Sequence, residues 1–156
     1  MAKDHSVNAG ESHSATKSKV GTSQSHGPGR RRSAILIVGD DTEGLRRYMR
    51  SFSAYGYTVE IACDGTAADG LAREKEFDVV VSDVDGSEVP DCGSLRRIRE
   101  RHARVPLVVL SKGLGFAAAC AAVDCGAHRY LIKPVSDERL LEVVVEAMQD
   151  AASRER

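Results

Sequence analysis

Short runs of β-branched residues alternate with helix-period segments along most of this chain, and this alternation constrains the fold more than any other feature. Five such runs predict strands, at residues 34–38, 57–62, 77–82, 106–110 and 130–132. Segments in which apolar residues recur every three or four positions follow them, at 42–55, 65–75, 92–101, 115–124 and 136–152. Strands of nearly continuous Val, Ile and Leu are typical of parallel sheets covered by helices on both faces.

The alternation therefore predicts an α/β fold, a doubly wound (βα)5 sandwich with a parallel five-stranded sheet in the flavodoxin-like order 2-1-3-4-5. In the first helix, one face should point inward, with Leu45, Tyr48, Met49, Phe52 and Tyr55 on it. Asp64 and Ser136 stand where two later helices begin, so we predict that both are N-caps.

Charged residues are distributed unevenly along the chain. Residues 1–33 carry six basic and two acidic residues and are rich in Ser and Gly, whereas the whole chain has a formal net charge of −1. A segment with so few apolar residues cannot offset its ordering entropy, so we predict a disordered basic tail over 1–33. A single globular domain should follow over 34–152, and residues 153–156 form the C-terminal end.

No apolar run reaches the roughly 20 residues of a membrane span, and the first residues lack the apolar core of a secretory signal. The four cysteines show neither C-x-x-C spacing nor a zinc-ligand pattern, which predicts free thiols and a cytoplasmic location. His102 and His128 are interpreted as surface residues rather than ligands.

Polar side chains follow four of the five predicted strands. They are Asp40 and Asp41 after the first strand, Asp83 and Asp85 after the third, Ser111 after the fourth and Lys133 after the fifth. The carboxyl ends of parallel strands share one sheet edge, so these groups should converge. Carboxylates suit Mg²⁺, and one of them can accept a phosphoryl group whose oxygens a lysine and a hydroxyl would orient. No Gly-rich phosphate loop occurs, which argues against a nucleotide-hydrolysing or dinucleotide enzyme.

Four motifs in this arrangement resemble those of the receiver domains of two-component response regulators: ILIVGDD, FDVVVSDVDG, VVLS and CGAHRYLIKP. The resemblance implies Asp83 as the phosphoacceptor and a Mg²⁺ site formed by Asp40, Asp83 and the backbone carbonyl of Asp85, with Asp41 as a further candidate ligand. It also implies Ser111 as the switch hydroxyl, Tyr130 as the switch aromatic, Lys133 as the phosphoryl-binding cation and a cis Lys133–Pro134 bond.

The chain departs from the family pattern at three places. Gly39 stands where the family has its first acidic residue, Gly86-Ser87 replace the usual Met-Pro, and Lys112 follows the switch hydroxyl where a small residue is usual. These departures motivate an alternative, a degenerate receiver that binds a partner without being phosphorylated.

A second alternative comes from the stretch beginning at Asp83, which also resembles the D-x-D-G-[TS] nucleophile motif of haloacid-dehalogenase-type phosphatases. The order of elements argues against it, because that family places its nucleophile on the first core strand and its acidic metal motif after the lysine. Here the acidic pair at 40–41 precedes Asp83, and only a helix follows Lys133.

The function favoured by the sequence is therefore a phosphorylation-dependent signalling switch. The resemblance implies that a histidine kinase or a phosphotransfer protein supplies the phosphoryl group and that the domain is not an enzyme beyond assisting its own phosphorylation and dephosphorylation. Because few residues follow the last predicted helix, we expect output through contact with a downstream protein. Three consecutive arginines at 30–32 are too few to favour a nucleic-acid partner, and no membrane insertion is expected.

Overall fold

Five parallel strands form one sheet in the computed structural model, which describes residues 31–84, 92–112 and 116–155. The strands are β1 (Ala34–Val38), β2 (Thr58–Ala62), β3 (Val79–Val84), β4 (Leu107–Ser111) and β5 (Arg129–Ile132). Their order in the sheet is β2-β1-β3-β4-β5, and every neighbouring pair is parallel. The predicted fold and strand order are confirmed.

A helix follows each strand: α1 (Thr42–Ala54), α2 (Gly65–Glu74), α3 (Cys92–Arg101), α4 (Phe116–Asp124) and α5 (Asp137–Ser153). Both predicted caps are present, since the Ala67 amide donates to Asp64 Oδ1 at 2.7 Å and the Arg139 amide donates to Ser136 Oγ at 3.1 Å. These bonds satisfy amides that a helix start leaves without an intrahelical partner.

Two apolar layers cover the faces of the sheet. Alternate residues of β1, β3 and β4, such as Ile37 and Val81, pack with α1 and α5 on one face. The residues between them, such as Leu36 and Val80, pack with α2, α3 and the end of α4 on the other. This two-sided burial explains why the strand sequences are continuously apolar rather than alternating.

Two predicted details are wrong. Tyr55, predicted on the inward face of the first helix, is half-exposed, because α1 ends at Ala54 and the chain turns through Gly56, whose φ is +89°. The third strand begins two residues later than predicted and continues to Val84, because Asp83 and Val84 still align with Leu110 and Ser111 of β4. Asp83 is therefore the second-last residue of β3 and Ser111 the last residue of β4, whereas both were expected to follow their strands.

The cysteines differ in state. Cys63 and Cys120 are free thiols as predicted, whereas Cys125 is disulfide-bonded, so the prediction of free thiols is wrong there. Cys125 is buried in the layer between the sheet and α3. Within the described part of the chain, no helix is long and apolar enough to cross a membrane. The predicted tail lies outside the described residues except for 31–33.

Candidate functional site

A buried ion pair lies at the carboxyl edge of the sheet. The Lys133 ammonium contacts Oδ1 of Asp83, and both side chains are largely shielded from solvent, with 12% and 3% exposed. The two residues come from β3 and from the end of β5, and the Lys133 amide donates to the Ser111 carbonyl at 2.9 Å, which fixes the β5 end against β4. The Lys133–Pro134 bond that follows is cis, as the resemblance implied. Strand pairing thus places a carboxylate and an ammonium from distant segments in contact.

A cavity of about 440 Å³ opens beside this pair. The described residues that line it are Asp41, Gly44, Arg47, Tyr48, Asp83, Lys112, Lys133, Pro134 and Val135. Three of these side chains are cationic and two are anionic, so the described lining has a positive excess of one charge. Such a cavity is suited to an anion small enough to reach Asp83.

Asp41 has a structural task as well as a place in the cavity wall. Its Oδ1 accepts a hydrogen bond from the Gly44 amide at 3.3 Å and caps α1. A Cβ on Gly44 would lie 2.6 Å from Asp41 Oδ2, so the glycine leaves room for the cap. Asp40 is exposed and is not among the described residues that line the cavity.

The described carboxylates do not form a closed metal cage, since no three His, Cys, Asp or Glu side chains of the described residues are grouped closely enough to hold a metal ion. Asp83 is nevertheless a hard oxygen donor beside an open cavity, and Asp40 follows the neighbouring strand. This donor set fits Mg²⁺ better than a metal that needs many protein ligands, because Mg²⁺ retains waters and accepts substrate oxygens.

Gly39 is crowded. An added Cβ would lie 3.0 Å from the carbonyl oxygen of Asp83 and 3.2 Å from both the Asp83 Cβ and the Leu45 Cδ2. The ends of β1 and β3 therefore approach each other more closely than an acidic side chain at residue 39 would allow without a shift. The departure from the family pattern at this position changes the local packing as well as the charge.

The two predicted switch residues lie near the site in different ways. Ser111 is buried at the end of β4, next to the Asp83–Val84 end of β3. Tyr130 is half-buried on β5 and packs against the apolar layer shared with α2 and α3. Neither is among the described residues that line the cavity. Asp85 and Gly86-Ser87 lie outside the described residues.

Among the residues of the cavity wall that sequence reasoning missed, Arg47 and Tyr48 carry polar side chains. The guanidinium of Arg47 pairs with Asp137 of α5, with Nη2 at 3.1 Å from Oδ1, and its Cζ lies 5.6 Å from the centre of the Tyr48 ring. Tyr48 was assigned to the apolar face of the first helix, where its ring indeed lies. The sequence feature that could have indicated Tyr48 as a site residue is its hydroxyl, because a tyrosine hydroxyl can extend beyond the apolar layer that holds the ring.

Several curated proteins named as regulators are similar in sequence to this chain. The chain is 38% identical over 112 residues to the response regulator MprA of Mycobacterium sp. (strain KMS), covering 69% of this chain and 46% of MprA. It is 32% identical over 114 residues to the transcriptional regulatory protein ZraR of Salmonella typhimurium (strain LT2), covering 73% of this chain and 26% of ZraR. The chain thus spans less than half the length of these relatives.

Solved structures share the fold. A signal receiver domain of an HD domain-containing protein from Pseudomonas fluorescens Pf-5 has a TM-score of 0.71 at 27% identity, over 79% of this chain and 99% of that one. A CheY-like receiver domain protein from Methanospirillum hungatei JF-1 has a TM-score of 0.72 at 23% identity, over 80% and 99%. The family described as response regulator receiver domain matches residues 35–145. This match favours a receiver domain over a haloacid-dehalogenase-type phosphatase. The chain therefore belongs to the response regulator receiver domain family, whose members are signalling modules of two-component systems.

Proposed function

We propose that this chain is a phosphorylation-dependent switch whose phosphoacceptor is Asp83. The observation that carries the proposal is the buried contact between the Asp83 carboxylate and the Lys133 ammonium, beside an open cavity of about 440 Å³. An ammonium beside the carboxylate favours its ionised form, which is the nucleophilic one.

In the proposed step, a carboxylate oxygen of Asp83 attacks the phosphorus of a phosphohistidine or a small acyl phosphate. The bond from phosphorus to the donor breaks, and its electron pair leaves with the donor. The negative charge near Asp83 increases, and the Lys133 ammonium, already in place, stabilises the new phosphoryl oxygens without reorganisation. We propose that the hydroxyl of Ser111, on the neighbouring strand β4, donates a hydrogen bond to the same phosphoryl group and that Tyr130 responds to this contact.

Mg²⁺ is proposed as the cofactor, held by the carboxylates of Asp40 and Asp83. It would neutralise charge on the phosphoryl oxygens when bound. Asp41 is a weaker candidate than the sequence suggests, because its Oδ1 caps α1. With few protein carboxylates, binding should be weak, and much of the ion's hydration should remain.

The proposed partners are a histidine kinase or a phosphotransfer protein as donor and a downstream protein as target, with the cytoplasm as the location. For this receiver unit we propose no nucleic-acid contact. The name of ZraR describes a transcriptional regulator, but this chain covers 26% of it, so that description does not extend to these residues.

The deciding experiment is intact-mass spectrometry of the chain after incubation with acetyl phosphate and Mg²⁺. One phosphoryl mass should be added to the parent protein and to the matched control Asp124→Asn, in which an exposed carboxylate of α4 is lost. Asp83→Asn should gain none. Labelling of Asp83→Asn would reject the acceptor, and no labelling of the parent protein would favour the degenerate receiver.

A further inference from the structure

Tyr48 lies in the wall of the cavity beside Asp83. The residue is 6% exposed, and its ring packs in the layer between α1 and the sheet. Tyr48 also lines the cavity, together with Asp83 and Lys133. A tyrosine can lie in both environments, because its ring is apolar and its hydroxyl is polar: the ring packs in the apolar layer and the hydroxyl faces the cavity.

Electrostatics support this placement. Burial raises the pKa of Tyr48 above its ordinary value of 10.0, the charge of Asp83 raises the pKa further, and the charge of Lys133 lowers it. The phenol is therefore within range of both members of the ion pair, and it is protonated at neutral pH. Tyr57, half-buried in the same layer, has its pKa raised by burial alone.

The Tyr48 hydroxyl makes no hydrogen bond to another residue in the described part of the chain, and its oxygen is not among the buried atoms that lack a partner, so it is accessible to solvent. Asp83 and Lys133 contact each other, and one Asp41 oxygen caps α1. Tyr48 thus brings a hydrogen-bond donor to the wall of a cavity of about 440 Å³, which is large enough for a phosphoryl group.

We propose that the Tyr48 hydroxyl donates a hydrogen bond to an oxygen of the phosphoryl group on Asp83 and so positions that group. The inference rests on the proposed function, and it identifies the group on α1 that faces the phosphoryl oxygens. Arg47 helps to hold the Tyr48 ring in place. Its guanidinium lies over the ring and pairs with Asp137 at the start of α5, so this part of the cavity wall is held against α5.

Tyr48→Phe retains the ring and removes the hydroxyl. Tyr57→Phe is the control, because Tyr57 packs edge-on against Phe52, with ring centres 6.5 Å apart, and lies in the same apolar layer. The affinity of each variant for beryllofluoride, a phosphoryl analogue that binds the aspartate, is measured by calorimetry in Mg²⁺. A hydrogen bond to a charged group changes an affinity by roughly tenfold or more, so Tyr48→Phe should bind about tenfold more weakly and Tyr57→Phe within twofold of the parent protein.

Equal affinity in Tyr48→Phe and the parent protein would overturn the proposal. If the parent protein binds no beryllofluoride and gains no phosphoryl mass, the proposed function fails instead, so the two failures are distinguishable. If Tyr48→Phe fails to fold, the contact can be tested by NMR on the protein without a substitution. With 3-fluorotyrosine incorporated, the ¹⁹F resonance of Tyr48 should shift on addition of beryllofluoride and that of Tyr57 should not. An unmoved Tyr48 resonance would also reject the contact.

Discussion

An added Cβ at Gly39 would lie 3.0 Å from a backbone oxygen of the neighbouring strand, a contact that flexible side-chain movement cannot relieve. The φ of Gly39 does not lie in the left-handed region that favours glycine, so crowding alone makes a larger residue costly here. Overpacking of this kind typically costs 1–3 kcal/mol. At the scale of the residue, the presence of Gly39 in place of the family's acidic residue therefore goes with the close approach of the ends of β1 and β3.

We expect Gly39→Ala and Gly39→Asp each to lower the free energy of unfolding by about 1 kcal/mol or more, because both add the same Cβ. Mg²⁺ affinity should rise in Gly39→Asp and stay unchanged in Gly39→Ala, since only the aspartate adds a carboxylate. Urea unfolding and an NMR titration with Mg²⁺ measure the two effects. Unfolding of Gly39→Ala at the parent's urea midpoint would contradict the crowding argument.

His128 joins three elements through one ring nitrogen. Its Nδ1 accepts from the Leu107 amide at 3.1 Å, which can only donate, and lies 3.1 Å from Arg99 Nη1. Both histidines predicted at the surface are partly exposed, and His102 also bonds into the fold, with its Nε2 2.7 Å from the Ala72 carbonyl. Burial, and then the charge of Arg99, lowers the pKa of His128 below its ordinary value of 6.5.

Since the folded state disfavours the protonated ring, the unfolded state binds more protons below pH 6.5. We expect this contribution to stability to be present above that pH and to be lost progressively as the pH falls below it. His128→Asn, whose side-chain oxygen can take the place of Nδ1 without titrating, should show a flatter dependence in urea unfolding between about pH 7.5 and 5.5. An identical slope in both proteins would assign the effect to other groups.

At the scale of the element, one buried carboxylate joins α2 to α3. Asp69, 7% exposed, lies 3.2 Å from Arg73 of its own helix and 3.6 Å from Arg97 and Arg101 of α3. Three guanidinium groups that share one carboxylate would repel one another without it. The arginines are about half-exposed, so solvent screens part of this repulsion.

Asp69→Asn should lower the free energy of unfolding by about 1–2 kcal/mol, a few degrees in melting temperature, because it leaves the three cations without their shared anion. Part of the loss should disappear in about 1 M salt, which screens the arginines. Glu74→Gln, which removes an exposed carboxylate of the same helix, is the control and should change little. A salt-independent loss would point to packing instead of charge.

The helices and strands were predictable from periodicity because the same apolar faces that set the period, such as that of Leu45 and Phe52, are buried in the fold. Asp83 was found as a strand-end residue, yet its place inside β3 depends on pairing with β4, which local sequence does not encode. The crowding at Gly39 and the cavity contact of Tyr48 depend on distances between segments far apart in the chain, and so they required the structure.

At the scale of the whole molecule, the predicted tail meets the domain at Arg31. Its guanidinium makes two hydrogen bonds of 3.1 Å to Asp78, and the same carboxylate accepts from the Ala34 amide at 2.7 Å. The pair fixes the entry into β1 next to the start of β3. The boundary that matters for stability is therefore expected at residue 31 rather than at 33.

A chain shortened to begin at Arg31 should keep the melting temperature of the full chain within a degree or two, since the residues before it have few apolar side chains to bury. A chain that begins at Ser33 should lose up to about 1 kcal/mol with the Arg31–Asp78 contact. Calorimetric melting of the three chains checks this. A large loss in the Arg31 chain would show that the tail docks on the domain.

Crowding around Gly39 also restricts which substitutions at residue 39 can be accepted during evolution. A single replacement by an acid would meet the Asp83 carbonyl and the Leu45 side chain at once, and so the first product of the change would fold less well. A smaller residue at position 45 would remove one collision, but on its own it would leave unfilled space in the core. We therefore expect the effect of an acid at residue 39 to depend on which residue occupies position 45.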